Sequence, residues 1–118
     1  MEFTVTFLKV FFIGILHMLP ILMLFLSIIT VLGFIIGRIE DWSILNALYY
    51  AAITATTVGY GDLHPKSDRS KVMAIVIAFA GLLLFGFIVS VGIHAVAYSF
   101  QHHRIIEKFG MPAINLVR

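Results

Sequence analysis

The sequence predicts an all-α membrane protein: two transmembrane helices, with a shorter helix between them that enters the membrane and returns as an extended loop. Three observations predict it. Of 118 residues, 61% are hydrophobic and 12% charged, where an ordinary soluble domain has about 25% charged residues. Two stretches lack Asp, Glu, Lys and Arg altogether, 28 residues between Lys9 and Arg38 and 32 between Lys71 and Arg104. A third, the 20 residues from Trp42 to Gly61, begins apolar and ends rich in hydroxyls and glycine. A soluble globule of this size cannot hide so much apolar material, which argues against a soluble enzyme, a nucleic-acid module or a disordered tail. The absence of cysteine removes disulfides and thiolate chemistry. A net charge of +2 is too small an excess to suggest a polyanionic partner.

The first charge-free run is longer than the roughly 20 residues that cross ~30 Å of hydrocarbon. Counting back from Arg38 places the outer span at 18–38, with Pro20 in its first turn, where a missing N–H is tolerated. Residues 1–16 set Glu2 and Lys9 among Phe3, Phe7, Phe11 and Phe12 and read as an interfacial helix. No basic cluster opens the chain and no small-residue cleavage site follows, so a signal peptide is a poor reading.

The middle run divides in two. Residues 43–55 form an apolar, aromatic helix with Asp41 or Ser43 as its N-cap. Residues 56–62, preceded by Thr54 and Ala55, hold hydroxyls and two glycines, unsuited to lipid contact. An extended segment leaves its carbonyls unpaired, and at membrane depth this is tolerated only inside protein or along a water-filled path. A helix that enters and returns as a loop satisfies both halves.

The last run predicts an inner span over 70–100, carrying Gly81, Gly86 and Gly92, residues common in closely packed membrane helices. Beyond it, 101–118 reads as a cytosolic tail in which Gly110 and Pro112 stop the helix. With both termini cytoplasmic, Lys9, Arg104, Lys108 and Arg118 lie inside, against Arg38, Lys66, Arg69 and Lys71 outside. That balance gives no positive-inside signal, and the topology rests on the middle segment.

Thr57-Val58-Gly59-Tyr60-Gly61-Asp62 resembles the selectivity filter of potassium channels. The order span, helix, filter, span over about residues 18 to 100 is similar to the two-transmembrane potassium channels of prokaryotes. The residue types fit this chemistry, because K⁺ must exchange its hydration shell for oxygens and successive carbonyls therefore have to face one axis. Ordinary extended L-residues alternate their carbonyls, and Gly59 and Gly61 can adopt the positive φ that turns them to one side. The resemblance implies ion sites at the carbonyls of Thr57, Val58, Gly59 and Tyr60 and the Thr57 hydroxyl. It also implies a homotetramer in the lipid bilayer around a central axis, passive conduction, no catalytic residues, and no cofactor besides K⁺ as the permeant ion.

The same resemblance places an aromatic collar behind the filter, with Tyr50 near the Tyr60 hydroxyl and Tyr49 near the Asp62 carboxylate; the alternative is that both are lipid-interface aromatics. Where many relatives have a glutamate partnered with the filter aspartate, this chain has Ile53, which cannot make that link. Gly81 matches the family's hinge glycine. Leu82, Phe85, Val89, Ile93 and Ala97 follow at helical spacing and form one face, either lining the cavity and inner constriction or packing on the outer span. Gly33 and Gly37 fit a close-packing pattern that lets the outer span approach its neighbours.

His94, His102 and His103 lack carboxylate or cysteine partners at ligand spacing, and no metal site is expected from them. No arginine-every-third helix is present, which removes a voltage sensor of that type. His94 and His17 fall at the cytosolic boundary, and protonation of His94 around the axis is an expected route to opening. Two alternatives share the architecture: a nonselective monovalent cation channel, or the pore module of a larger ligand-gated potassium channel with a cytosolic regulatory domain outside this chain. A membrane scaffold has no use for the filter segment.

Overall fold

A computed structural model describes residues 1–110. Among them four helices follow in order, α1 (Glu2–His17), α2 (Leu19–Ile39), α3 (Ile44–Ala55) and α4 (Asp68–Phe109), and no strand occurs. The helices Leu19–Ile39 and Asp68–Ile105 are long and apolar enough to cross a membrane, an 18-residue stretch of each reaching a mean hydropathy of 2.8 and 2.9, and α3 is a shorter apolar helix. The protein is a membrane protein of helical hairpin type with a helix and loop inserted between the spans.

The chain divides into two compact units, one of residues 20–87 and one joining residues 1–19 to the part from Ile88 onward. In the first unit, α2 ends at a left-handed residue. Asp41 has φ 57°, and the Trp42 N–H reaches back to the Gly37 carbonyl at 2.8 Å, the closing pattern of a Schellman motif. Of the two N-cap candidates, Ser43 caps α3, its hydroxyl accepting from the Asn46 N–H at 3.2 Å.

α3 is seated on small residues. A methyl group at Gly33 would stand 2.7 Å from the Ala51 Cβ, and one at Gly37 would stand 2.6 Å from the Ala47 Cβ. The neighbour that Gly33 and Gly37 admit is thus the chain's own α3. In hydrocarbon there is no hydrophobic gain from hiding apolar side chains, so close backbone approach and dispersion hold helices together. Tyr50, Ala51, Ala55, Ile29, Ile36, Ile77 and Ala80 form the buried centre of this unit.

α4 starts two residues earlier than the expected 70–100 helix because Ser67 caps it, the Ser67 hydroxyl accepting from the Ser70 N–H at 3.2 Å. It continues to Phe109 and stops at Gly110, whose φ is +64°. The stop at Gly110 is the one expected; the span expected over 70–100 ends at the polarity change at Gln101, which marks the edge of hydrocarbon and does not terminate the helix. A helix of 42 residues is about 63 Å long at 1.5 Å per residue, so α4 outruns a ~30 Å hydrocarbon layer. The expected tail beyond residue 110, with Pro112 and Arg118, lies outside the described residues.

In the second unit α1 has a helical partner, which the reading of 1–16 as an interfacial helix did not include. α1 runs antiparallel to the later part of α4: Phe3 meets Phe100 with ring centroids 4.9 Å apart, while a methyl group at Gly14 would press on Val91 at 2.6 Å. Thr6, Ser99 and His102 are buried in this unit, and the Ser99 hydroxyl is satisfied by the Ala95 carbonyl at 2.8 Å. At the other end α1 closes on Met18, whose N–H returns to the Gly14 carbonyl at 3.1 Å.

Candidate functional site

The site is the segment from the end of α3 to Asp62. Thr56 ends the helix: its hydroxyl donates to the Ala52 carbonyl at 2.7 Å and its N–H to the same carbonyl at 3.0 Å. The Thr57 N–H donates to the Thr54 carbonyl at 3.2 Å, and the Gly59 N–H to the Ile53 carbonyl at 3.0 Å. The last carbonyls of α3, which have no partner within the helix, are thereby used to fasten the start of the loop. Gly59 and Gly61 have φ of 54° and 83°, values natural to glycine and strained for other residues.

Thr57 also lies in this region, with φ 65°. A β-branched residue is an outlier there, and such strain persists only where the surroundings impose it. The resemblance to a filter did not point to this strain, since a threonine hydroxyl gives no sequence signal of backbone geometry.

Asp62 is tied to α3. The Tyr49 hydroxyl donates to Asp62 Oδ2 at 3.0 Å. This donation, together with partial burial and the carboxylate charge, raises the Tyr49 hydroxyl above its usual pKa of 10.0. Tyr50 is buried, its ring 5.1 Å from that of Trp42, and it borders the same hollow as Gly59 and Gly61, while Tyr60 is 73% exposed and Val58 50%. Ile53 is buried behind the loop, where Ile53, Thr54, Thr57, Gly59 and Gly61 border a hollow of about 290 Å³.

A second anchor was not anticipated. Glu40, just past α2, accepts from the Lys66 and Ser67 N–H groups, each at 3.0 Å through Oε1. These donors sit at the start of α4, where N–H groups are otherwise orphaned and a negative charge is favoured. The Ser67 N–H, with smaller help from Lys66 and the serine hydroxyls against a desolvation penalty, holds the Glu40 carboxyl below its usual value of 4.5. The sequence signal available was slight: an acid just past one span and a serine just before the next.

On α4, Leu82, Phe85, Val89, Ile93 and Ala97 are all exposed in the single chain. Val89, Ile93 and Ala97 border an apolar hollow of about 570 Å³ to which α1 contributes Phe7 and Phe11. His94 is exposed. Gly81, the expected hinge, is buried, and a methyl group there would collide with the Ala55 carbonyl oxygen and lie 2.6 Å from the Ala55 Cα. Gly86, by contrast, has no atom within 4 Å of the position a methyl would take.

A sequence profile described as "Ion channel" matches residues 21–98, more than half of the chain. Among curated proteins, the chain is 52% identical over 42 residues to "Two pore potassium channel b" of Oryza sativa subsp. japonica, which covers 36% of this chain and 12% of the relative. It is 45% identical over 47 residues to "Two-pore potassium channel 1" of Arabidopsis thaliana, covering 40% and 13%. It is 31% identical over 59 residues to human "Potassium channel subfamily K member 2", covering 50% and 14%. The matched segment thus spans less than a sixth of the length of these relatives. No solved structure matches the chain at a significant level.

Proposed function

The chain belongs to the ion-channel family, and on that premise we propose that it conducts potassium selectively and passively across a membrane, through the axis of a homotetramer. The observation that carries the reading is the loop Thr57–Gly61, with Gly59 and Gly61 at positive φ, fastened to α3 at one end and through Tyr49 and Asp62 at the other. The potassium-channel names of its relatives support the choice of ion.

In this reading the protein performs no covalent step. The carbonyls of Thr57, Val58, Gly59 and Tyr60, with the Thr57 hydroxyl, replace the water of a dehydrating K⁺ ion. Four loops are needed to surround it, and the exposed Val58 and Tyr60 side chains are covered by neighbouring copies. The carboxyl end of α3 adds partial negative charge that favours a cation. Leu82, Phe85, Val89, Ile93 and Ala97, uncovered within one chain, face the axis below the filter. Both termini lie on the cytoplasmic side of the cell membrane, with α1 at its inner boundary. Gating belongs to the inner half of α4, through protonation of His94 or a cytosolic domain outside this chain.

Liposomes containing the purified protein test the reading. Potassium-loaded vesicles diluted into sodium should develop a negative interior potential, detected with a voltage-sensitive dye, and sodium-loaded vesicles in sodium should not. A leak that dissipates both gradients equally identifies a nonselective pore.

A further inference from the structure

Alanines at every fourth position of α3 meet glycines on two different helices. Ala51 and Ala47 lie on Gly33 and Gly37 of α2, and Ala55, the last residue of α3, lies on Gly81 of α4. The third contact is the tightest. At Gly33 and Gly37 the nearest atom to an added methyl is an alanine side chain, whereas at Gly81 the three nearest atoms are all Ala55 backbone, with the carbonyl carbon at 2.7 Å. An alanine methyl is also fixed to its backbone, but at Gly81 the obstacle is the backbone of the helix end itself, which cannot move without carrying the following residues. Those residues are Thr56 and then Thr57, the first residue of the filter, held in a strained conformation with φ 65°. Both Ala55 and Gly81 are buried, and Ala80 and Ile77 beside Gly81 belong to the same buried cluster as Ala55.

We propose that Gly81 is a filter-positioning residue: a seat without a side chain that fixes the carboxyl end of α3, and so sets the depth and angle of Thr57–Gly61 for ion selection. It acts through Ala55 and touches no ion. The proposal rests on the potassium-selective reading above. It separates two properties that a hinge would merge, because a seat governs which ion passes while a hinge governs how often the pore is open. Gly86, on the same helix, has open space where a methyl would stand and serves as the comparison glycine.

The test compares wild type, Gly81→Ala and Gly86→Ala. Each is purified as the assembled channel, recorded in planar bilayers, and melted in potassium and in sodium buffer. A seat predicts that Gly81→Ala lowers the potassium-to-sodium permeability ratio by roughly tenfold or more and removes the extra thermal stability that potassium binding gives. Gly86→Ala should keep the wild-type ratio and the potassium-dependent shift. Failure of Gly81→Ala alone to assemble also counts for the seat, because alanine is the better helix former and a mere hinge position would gain stability from it.

The proposal is overturned if Gly81→Ala keeps the wild-type ratio and potassium shift while its open probability falls. Should wild type itself show no preference for potassium in either measurement, the functional reading fails. The seat is then judged by melting alone: a lower midpoint for Gly81→Ala than for Gly86→Ala sustains it, and equal midpoints refute it.

Discussion

The hydroxyl of Tyr49, in the middle of α3, is joined to the Asp62 carboxylate by a 3.0 Å hydrogen bond. This bond closes the loop between them, so that the filter segment is anchored at its exit as well as at its start. Tyr49→Phe removes the donor and leaves the ring. Open bursts should shorten by roughly fivefold, the factor that corresponds to one ordinary hydrogen bond, in single-channel records at constant voltage; unchanged bursts would show that the tether is idle. The Tyr49 hydroxyl is raised above its usual value of 10.0, so its neutral, donating form is complete at neutral pH and is lost only as pH climbs through the raised value. Burst length of wild type should accordingly be flat between neutrality and about pH 9 and decline only beyond about 10.

Glu40 joins the end of α2 to the start of α4 through the Lys66 and Ser67 N–H groups. Its carboxyl is held below 4.5, so the stabilisation is full above the ordinary carboxylate value and is lost as pH falls through the lowered one. Melting of the assembled channel between about pH 6 and pH 3 should show an acid-dependent fall in wild type that is smaller in Glu40→Gln. Glu40→Ala should melt below both at neutral pH. Identical curves for wild type and Glu40→Gln would assign the acid sensitivity to other carboxylates.

The contact between Gly37 and Ala47 leaves no room for a methyl group. Gly37→Ala should destabilise the fold by about 1–3 kcal/mol, the usual range for overpacking, and Ala47→Gly in the same chain should recover much of it. A double-mutant cycle on thermal or denaturant melting measures the coupling; strictly additive effects would mean that the helices separate to accommodate the change.

Ile53 is buried and borders the hollow beside the loop, so position 53 offers Asp62 no carboxyl partner. Conduction should persist through prolonged opening. Ile53→Glu offers Asp62 a second partner in competition with Tyr49 and should add a slow decay to macroscopic current. Sustained currents with the same time course in both proteins would count against this role for position 53.

The spans and the inserted loop were legible because they rest on one strong physical signal, the exclusion of charge from hydrocarbon, read from the intervals between Lys9 and Arg38 and between Lys71 and Arg104. Gly59 and Gly61 were legible because a demand for positive φ selects glycine. Other features rest on tertiary contact. Gly81 reads in sequence as a flexible point, and its close approach to the Ala55 backbone has no signal in the sequence. Glu40 and Ser67 are 27 residues apart, with nothing periodic to join them. The partner of α1 was hidden for a related reason: phenylalanines suit a lipid surface and a helix partner equally well, and Phe3 meets Phe100 while Phe12 is exposed. The helix end at Phe109 was legible because Gly110 follows it, whereas the hydropathy boundary near Gln101 marks only the end of the apolar span.

The most direct test of a potassium-selective pore is the reversal potential of the purified channel in a bilayer with potassium on the inner side and an equal concentration of sodium on the outer. The account predicts a strongly negative reversal potential, with Gly59→Ala abolishing either the current or this preference because a side chain opposes the positive φ at that position. A reversal potential at zero in wild type, the mark of equal permeability to the two ions, would contradict it.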